Sequence, residues 1–253
     1  MRMVNFVGAG PGAVDLITLR GKTLLENADV VIYTGSLVNP DLLEFTKTDC
    51  EIHNSASMTL DEVINVMQAA IASDKSVVRL HTGDPSLYGA IREQMDRLVL
   101  LGINYNVCPG ISSFCAAAAS LKTEYTLPGV SQTLIISRMA GKTPVPELES
   151  IRKLAAHRAS MVLFLSVGFS EKVSRELIAG GYSPKTPVAV VYKASWKDEK
   201  IVRCTVANLA KCVAENNINK TALICIGGFL DNSYELSRLY SPDFTTEYRD
   251  AKI

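Results

Sequence analysis

Two loops carry residue types and spacings suited to holding a small molecule. The first lies in VVRLHTGDPSLYG, residues 77–89, where a short apolar run (Val77-Val78-Arg79-Leu80) meets Gly83-Asp84-Pro85. Asp84 precedes a proline, which steers it out of the helical region, and Gly83 lets a ligand approach the backbone because it has no Cβ. A strand ending at residue 80 and a helix starting near residues 86–89 would place this loop beyond the carboxyl end of a strand, where open α/β sheets bind ligands. The tripeptide alone is also ordinary turn chemistry. The second loop follows Val4-Asn5-Phe6-Val7 and reads GAGPGA, residues 8–13.

Gly8, Gly10 and Ala13 fit the spacing of a dinucleotide fingerprint, but two requirements of that motif are missing. The helix must begin at the glycines so that its N-terminus receives a pyrophosphate. Here Pro11, Gly12 and Asp15 intervene, and the helical pattern begins near Thr18. The second strand should also end on a carboxylate for a ribose hydroxyl, whereas it runs Val31-Ile32-Tyr33-Thr34-Gly35. A nicotinamide oxidoreductase is therefore the disfavoured alternative.

The elements that must position these loops follow the alternation of an α/β protein. In the first half the strands are expected at residues 4–7, 30–33, 50–53, 77–80 and 105–108. Helices are expected at 18–28, 40–46, 60–73 and 89–101, and the Ala-rich segment 112–121 reads as a further helix or as the end of the domain. The helix from Leu60 is the clearest, with Val63, Ile64, Met67, Ala70 and Ile71 on its apolar face and Thr59 and Glu62 spaced as a capping box. The pattern restarts after residues 122–126, with strands at 133–137, 161–167, 188–193, 201–204 and 222–226 and helices at 147–157, 171–179 and 206–216. Residues 195–200 read as a hairpin between two strands. The expectation is two α/β domains, residues 1–120 and 121–253, with mixed, mostly parallel sheets and a cofactor cleft between them.

Composition bounds the function. The 253 residues are 47% hydrophobic and 21% charged, enough to bury a core. Lys+Arg and Asp+Glu are equal at 26 each, without a basic stripe, which argues against nucleic acid as a partner. No apolar run reaches the length of a signal peptide or a membrane span, so a cytoplasmic protein without membrane attachment is expected. The six cysteines include no C-x-x-C pair and the three histidines are scattered, so no metal site is expected.

In chain order, the sequence resembles the tetrapyrrole methylase family. The matching stretches are Val7-Gly8-Ala9-Gly10-Pro11-Gly12 with residues 15–21, then Ala28-Asp29-Val30-Val31-Ile32-Tyr33. They continue with Gly83-Asp84-Pro85, Pro109-Gly110-Ile111-Ser112-Ser113 and Pro187-Val188-Ala189-Val190-Val191. Residues 33–38 (YTGSLV) and 137–147 (SRMAGKTPVPE) look like the branch that methylates C-11 of precorrin-4 or cobalt-precorrin-4. Lys142 stands where that branch usually has arginine, keeping the charge without the bidentate fork. The uroporphyrinogen branch carries an acidic residue where this chain has Thr34.

The resemblance implies S-adenosyl-L-methionine as cofactor, S-adenosyl-L-homocysteine as product, a tetrapyrrole substrate of cobalamin synthesis and a homodimer. It implies cofactor binding by Pro11, Thr82, Gly83, Asp84, Leu87, Ser112, Ser113, Leu165, Ala189, Ala222 and Leu223. Tyr33, Thr34, Arg138 and Lys142 would face the substrate, whose rim of carboxylates calls for cations. Met139 would touch the macrocycle or pack the loop, and His81 reads as structural. No residue is singled out as a general base. The alternatives from other classes are a relative acting on another tetrapyrrole or on a protein histidine, as in diphthamide synthesis, and a non-catalytic binding module.

Overall fold

The structure, a computed structural model, describes residues 2–231 and 233–252. The chain forms two compact units, one of residues 1–120 with Lys193–Glu199, the other of Leu121–Tyr192 with Lys200–Ile253. The excursion 193–199, which the sequence reading left in the second domain, thus belongs to the first unit.

The first unit is a parallel five-stranded sheet. Its strands are β1 (Val4–Gly8), β2 (Val30–Tyr33), β3 (Glu51–Asn54), β4 (Val77–His81) and β5 (Tyr105–Cys108), in the order β3-β2-β4-β1-β5. The chain moves toward β3 through α1 (Leu19–Glu26) and returns through α2 (Leu60–Ala72) and α3 (Ile91–Leu100). Right-handed crossovers in opposite directions put their helices on opposite faces. Accordingly Leu25 of α1 packs with Val7, Val31, Val78 and Leu80 on one face. On the other face Ile64 and Met67 of α2 and Leu98 of α3 pack with Val4, Phe6, Ile32 and Val77. Thr59 and Glu62 form the expected capping box, each accepting from the other's backbone. With β1 and β4 covered on both faces, every one of their residues is buried. α4 (Ser113–Leu121) ends the first half.

Two local expectations need correction. Residues 40–46 form a 3-10 helix, Pro40–Phe45, rather than an α-helix. The helix expected from residues 86–89 begins at Ile91, because Tyr88 (φ 58°) and Ala90 (φ 49°) take left-handed conformations that interrupt it.

In the second unit the strands β6 (Leu134–Arg138), β7 (Ser160–Phe164), β8 (Pro187–Tyr192), β9 (Lys200–Thr205) and β10 (Ala222–Ile226) are ordered β6-β7-β10-β8-β9. Only β6 and β7 pair in parallel; the others are antiparallel, so the parallel excess of the fold lies in the first sheet. α5 (Ile151–Ala155), α6 (Ser170–Gly180) and α7 (Leu209–Glu215) supply Ala155, Leu177 and Leu209 to one core with Leu163, Val190 and Ile224. β8 and β9 are joined by the excursion 193–199, which confirms the expected hairpin.

The glycine at the end of β1 is required by close packing. A Cβ on Gly8 would lie 2.6 Å from Gly110 Cα and 2.6 Å from Gly83 O, both backbone atoms. Gly8→Ala is expected to lower unfolding free energy by about 1–3 kcal/mol, the usual range for overpacking a tight site. Urea denaturation checks it, and an unchanged midpoint would show that the neighbouring backbone yields freely.

Candidate active site

Three loops leave the carboxyl ends of β1, β4 and β5 and interlock. Gly10 and Gly83 form an antiparallel bridge in which Gly83 N–H donates to Gly10 O (2.8 Å) and Gly10 N–H to Gly83 O (3.3 Å). Ala9 N–H donates to His81 O at 2.7 Å. Gly10 (φ 78°) and Gly83 (φ 60°) both sit in left-handed backbone, where glycine carries no steric penalty. The position of a Cβ on Gly83 lies 3.5 Å from Ser112 Cα and 3.6 Å from Ser113 N, which brings the third loop against the second.

Asp84 locks the arrangement. Its Oδ2 accepts from Gly110 N–H at 2.8 Å, and its Oδ1 accepts from Ser86 N–H at 2.9 Å and from the Ser86 hydroxyl. Burial alone would raise the Asp84 carboxyl, but the Ser86 and Gly110 donors outweigh it and hold it below the ordinary value. The carboxylate therefore ties the Gly-Asp-Pro loop to the Pro-Gly-Ile-Ser-Ser loop. Thr82 is exposed and Leu87 half-buried, while Gly83 and Ser112 are buried and Ser113 opens α4.

The glycine-rich loop is held from its other side by residues the sequence reading did not single out. Trp196 Nε1 donates to Pro11 O (2.9 Å), Ala13 N–H donates to Ser195 Oγ (3.0 Å), and Asn39 Nδ2 donates to Gly12 O (2.8 Å). The Trp196 ring covers Gly12 so closely that a Cβ there would lie 2.0 Å from Trp196 Cδ1. The signal in the sequence was the chain's single tryptophan, placed in a hairpin turn. A 3-10 turn, Val14–Leu16, then separates the loop from α1, whose N-cap is Thr18. The glycines thus do not open a helix, as a dinucleotide site requires.

At the same sheet end two buried polar atoms lack a hydrogen-bond partner among the described residues, Thr34 Oγ1 after β2 and His81 Nε2 at the end of β4. Such atoms cost about 1–3 kcal/mol each when unsatisfied, so their place beside the clasp fits a site completed by a ligand. His81 is 2% exposed; burial first, and then the charge of Arg79, push its pKa down to about 3, so it is neutral at ordinary pH. Tyr33 is half-buried and its carbonyl accepts from Ser55 Oγ at 3.0 Å.

The second unit departs from a simple reading of its residues. Leu165 is not strand core: it follows β7, is 65% exposed and takes a left-handed φ of 52°. Ala189 is fully buried in β8 opposite Cys225, and Leu223 stands opposite Val191. Ala222 instead joins the helix-side core, so Ala222 and Leu223 point to opposite faces. Arg138 is engaged within its own loop, donating from Nη2 to Pro144 O (2.7 Å) and from Nη1 to Thr143 O (3.3 Å). Lys142 is exposed. Met139 is 4% exposed and packs in the core, with its N–H on Ser166 Oγ at 2.7 Å.

Comparison with known proteins decides the family. The model of the tetrapyrrole (corrin/porphyrin) methylases matches residues 3–210. The chain belongs to the tetrapyrrole methylases. It is 56% identical over 249 residues to a cobalt-precorrin-4 C(11)-methyltransferase of Methanocaldococcus jannaschii, covering 98% of this chain and 96% of the relative. A Priestia megaterium enzyme of the same name is 46% identical, with 96% of each chain covered. Among solved structures, a cobalt precorrin-4 methyltransferase of cobalamin biosynthesis superposes with a TM-score of 0.89 at 47% identity, over 90% of this chain and 96% of the other. A uroporphyrin-III C-methyltransferase from Thermus thermophilus, complexed with S-adenosylhomocysteine, gives 0.76 at 26% identity over 90% and 93%. Both likenesses span the two units of this methylase.

Asp84→Ala leaves the Gly110 N–H without its charged acceptor and is expected to cost about 1–3 kcal/mol at pH 7. Because the folded pKa lies below the unfolded value near about 3.9, the carboxylate's contribution is present above that pH and is lost as pH falls through the folded pKa. Denaturation at pH 7 and pH 3 should therefore show the gap between wild type and variant narrowing in acid. A gap that is constant across this range would remove the lock from the account.

Proposed function

We propose that this methylase transfers a methyl group to C-11 of cobalt-precorrin-4, or of its metal-free counterpart precorrin-4, in corrin ring synthesis, with S-adenosyl-L-methionine as donor and S-adenosyl-L-homocysteine as product. The observation that carries the reading is 56% identity along 98% of the chain to an enzyme named for that reaction. The S-adenosylhomocysteine complex of a structural relative supports the cofactor, and the interlocked loops with their two unsatisfied polar atoms supply a fitting cradle. When bound, the cofactor supplies an electrophilic methyl on a sulfonium.

The chain's work is then placement, since aligning two reactants supplies about 7–11 kcal/mol of a barrier. In this reading Pro11, Thr82, Gly83, Leu87, Ser112 and Ser113 contact the cofactor through backbone groups and small side chains. Asp84 acts by holding the Gly110 loop. From the second unit Leu165 offers an exposed apolar wall, and Ala189, Ala222 and Leu223 contribute through strand backbone. Tyr33 and Thr34 face the macrocycle, Lys142 pairs with a rim carboxylate, and Arg138 shapes the loop that presents Lys142. His81, neutral and buried, is a hydrogen-bonding group rather than a charged one. Among the described residues no helix is long and apolar enough to cross a membrane; a cytoplasmic homodimer is part of the proposal.

Incubation of the purified protein with methyl-labelled S-adenosylmethionine and either cobalt-precorrin-4 or precorrin-4 tests this. Label at C-11 of the product, located by carbon NMR, is expected. Failure of both tetrapyrroles to take up label, from protein that still binds the cofactor, would contradict the substrate assignment.

A further inference from the structure

A cation buried in the middle of a strand is unfavourable unless something opposes its charge. Arg79, at the centre of β4, is 5% exposed, and burial pulls its pKa down to about 10. It remains a cation at neutral pH, and its hydrogen bonds go to neutral oxygens. Nη1 donates to Ile32 O at 3.2 Å, one residue before Tyr33 and two before Thr34. Nε donates to Gln94 Oε1 at 3.2 Å. Gln94, 6% exposed on α3, donates in turn from Nε2 to Ala90 O at 3.1 Å.

The chemistry of the pair fixes its direction. A guanidinium has only donors, so it must face the amide oxygen of Gln94, and that aims the amide hydrogens away toward Ala90. Ala90 is the left-handed residue that ends the loop running from Asp84 through Leu87, and Tyr88 within it is left-handed as well. A backbone of this kind persists only where its surroundings hold it.

We propose that Arg79 and Gln94 form a buried positioning relay, one arm fixing the end of β2 and the other, through the Gln94 amide, fixing the exit of the cofactor loop at Ala90. The inference rests on the reading of Thr82–Leu87 as that loop. The relay acts through Leu87 and its neighbours and touches neither cofactor nor substrate.

Gln94→Glu separates the arms. Glutamate keeps an acceptor for Arg79 but, as a carboxylate, has no hydrogens for Ala90 O. Titration of wild type and variant with S-adenosylhomocysteine by calorimetry is paired with thermal unfolding of each. The relay predicts a melting temperature no lower than wild type and a Kd raised about three- to tenfold, the weight of one hydrogen bond. A wild-type Kd in the folded variant overturns it. Gln94→Met, which removes both bonds that Gln94 makes, to Arg79 and to Ala90, while the Arg79 bond to Ile32 O stays, provides the second reading: Kd is expected to rise at least as far, and an unchanged value also overturns the relay. Absence of binding by the wild type overturns the cofactor reading and the relay with it.

Discussion

Gly8, Gly10, Gly83 and Gly110 let three chain segments approach more closely than side chains permit. A Cβ on Gly110 would lie 2.3 Å from Gly83 O and 2.7 Å from Gly8 Cα. The glycines make the contact possible, and hydrogen bonds make it persist: the two across the Gly10–Gly83 bridge and the one from Gly110 N–H to Asp84. Everything proposed for the first unit depends on this clasp. It sets where Thr82 and Ser112 lie, and it closes over the end of the strand that carries His81.

The sheet explains why the clasp forms there. In a parallel sheet every strand delivers its carboxyl end to one edge, and the pairing of β1 with both β4 and β5 puts their three following loops side by side. Hydrophobic burial on both faces fixes the strands, so the loops can hold unfavourable backbone without unfolding the unit. Trp196, Ser195 and Asn39 brace the first loop from outside, and Arg79 with Gln94 braces the second from within. Most of these bonds use backbone carbonyls or amides, so the shape of the site is specified by main chain as much as by side-chain chemistry.

The strands and helices were legible in the sequence because their signals are local and periodic. The capping box at Thr59 and Glu62 and the apolar stripe of α2 are spacing rules, and the β1 and β4 runs are short and apolar. What sequence reading missed depends on contacts between distant residues. The late start of α3 follows from left-handed Tyr88 and Ala90, which no propensity predicts. The bracing by Trp196 depends on a hairpin turn more than 180 residues from Pro11 along the chain. Arg138 looked like a free cation until its loop folded back to offer the Thr143 and Pro144 carbonyls. The strand expected at residues 161–167 ends at Phe164, so Leu165, expected at the cofactor, stands just past β7 although the apolar run continues. Asp84 was expected to bind the cofactor, and only the Gly110 contact shows that its carboxylate holds one loop to another.

Amide hydrogen exchange, resolved to single residues, addresses the claim that the interlocked loops are the cofactor cradle. It would be measured with and without saturating S-adenosylhomocysteine. The account predicts added protection at Thr82, Gly83, Leu87, Ser112 and Ser113, with α6 unchanged as an internal reference. Saturated binding that leaves those five amides at their free-protein rates would contradict it.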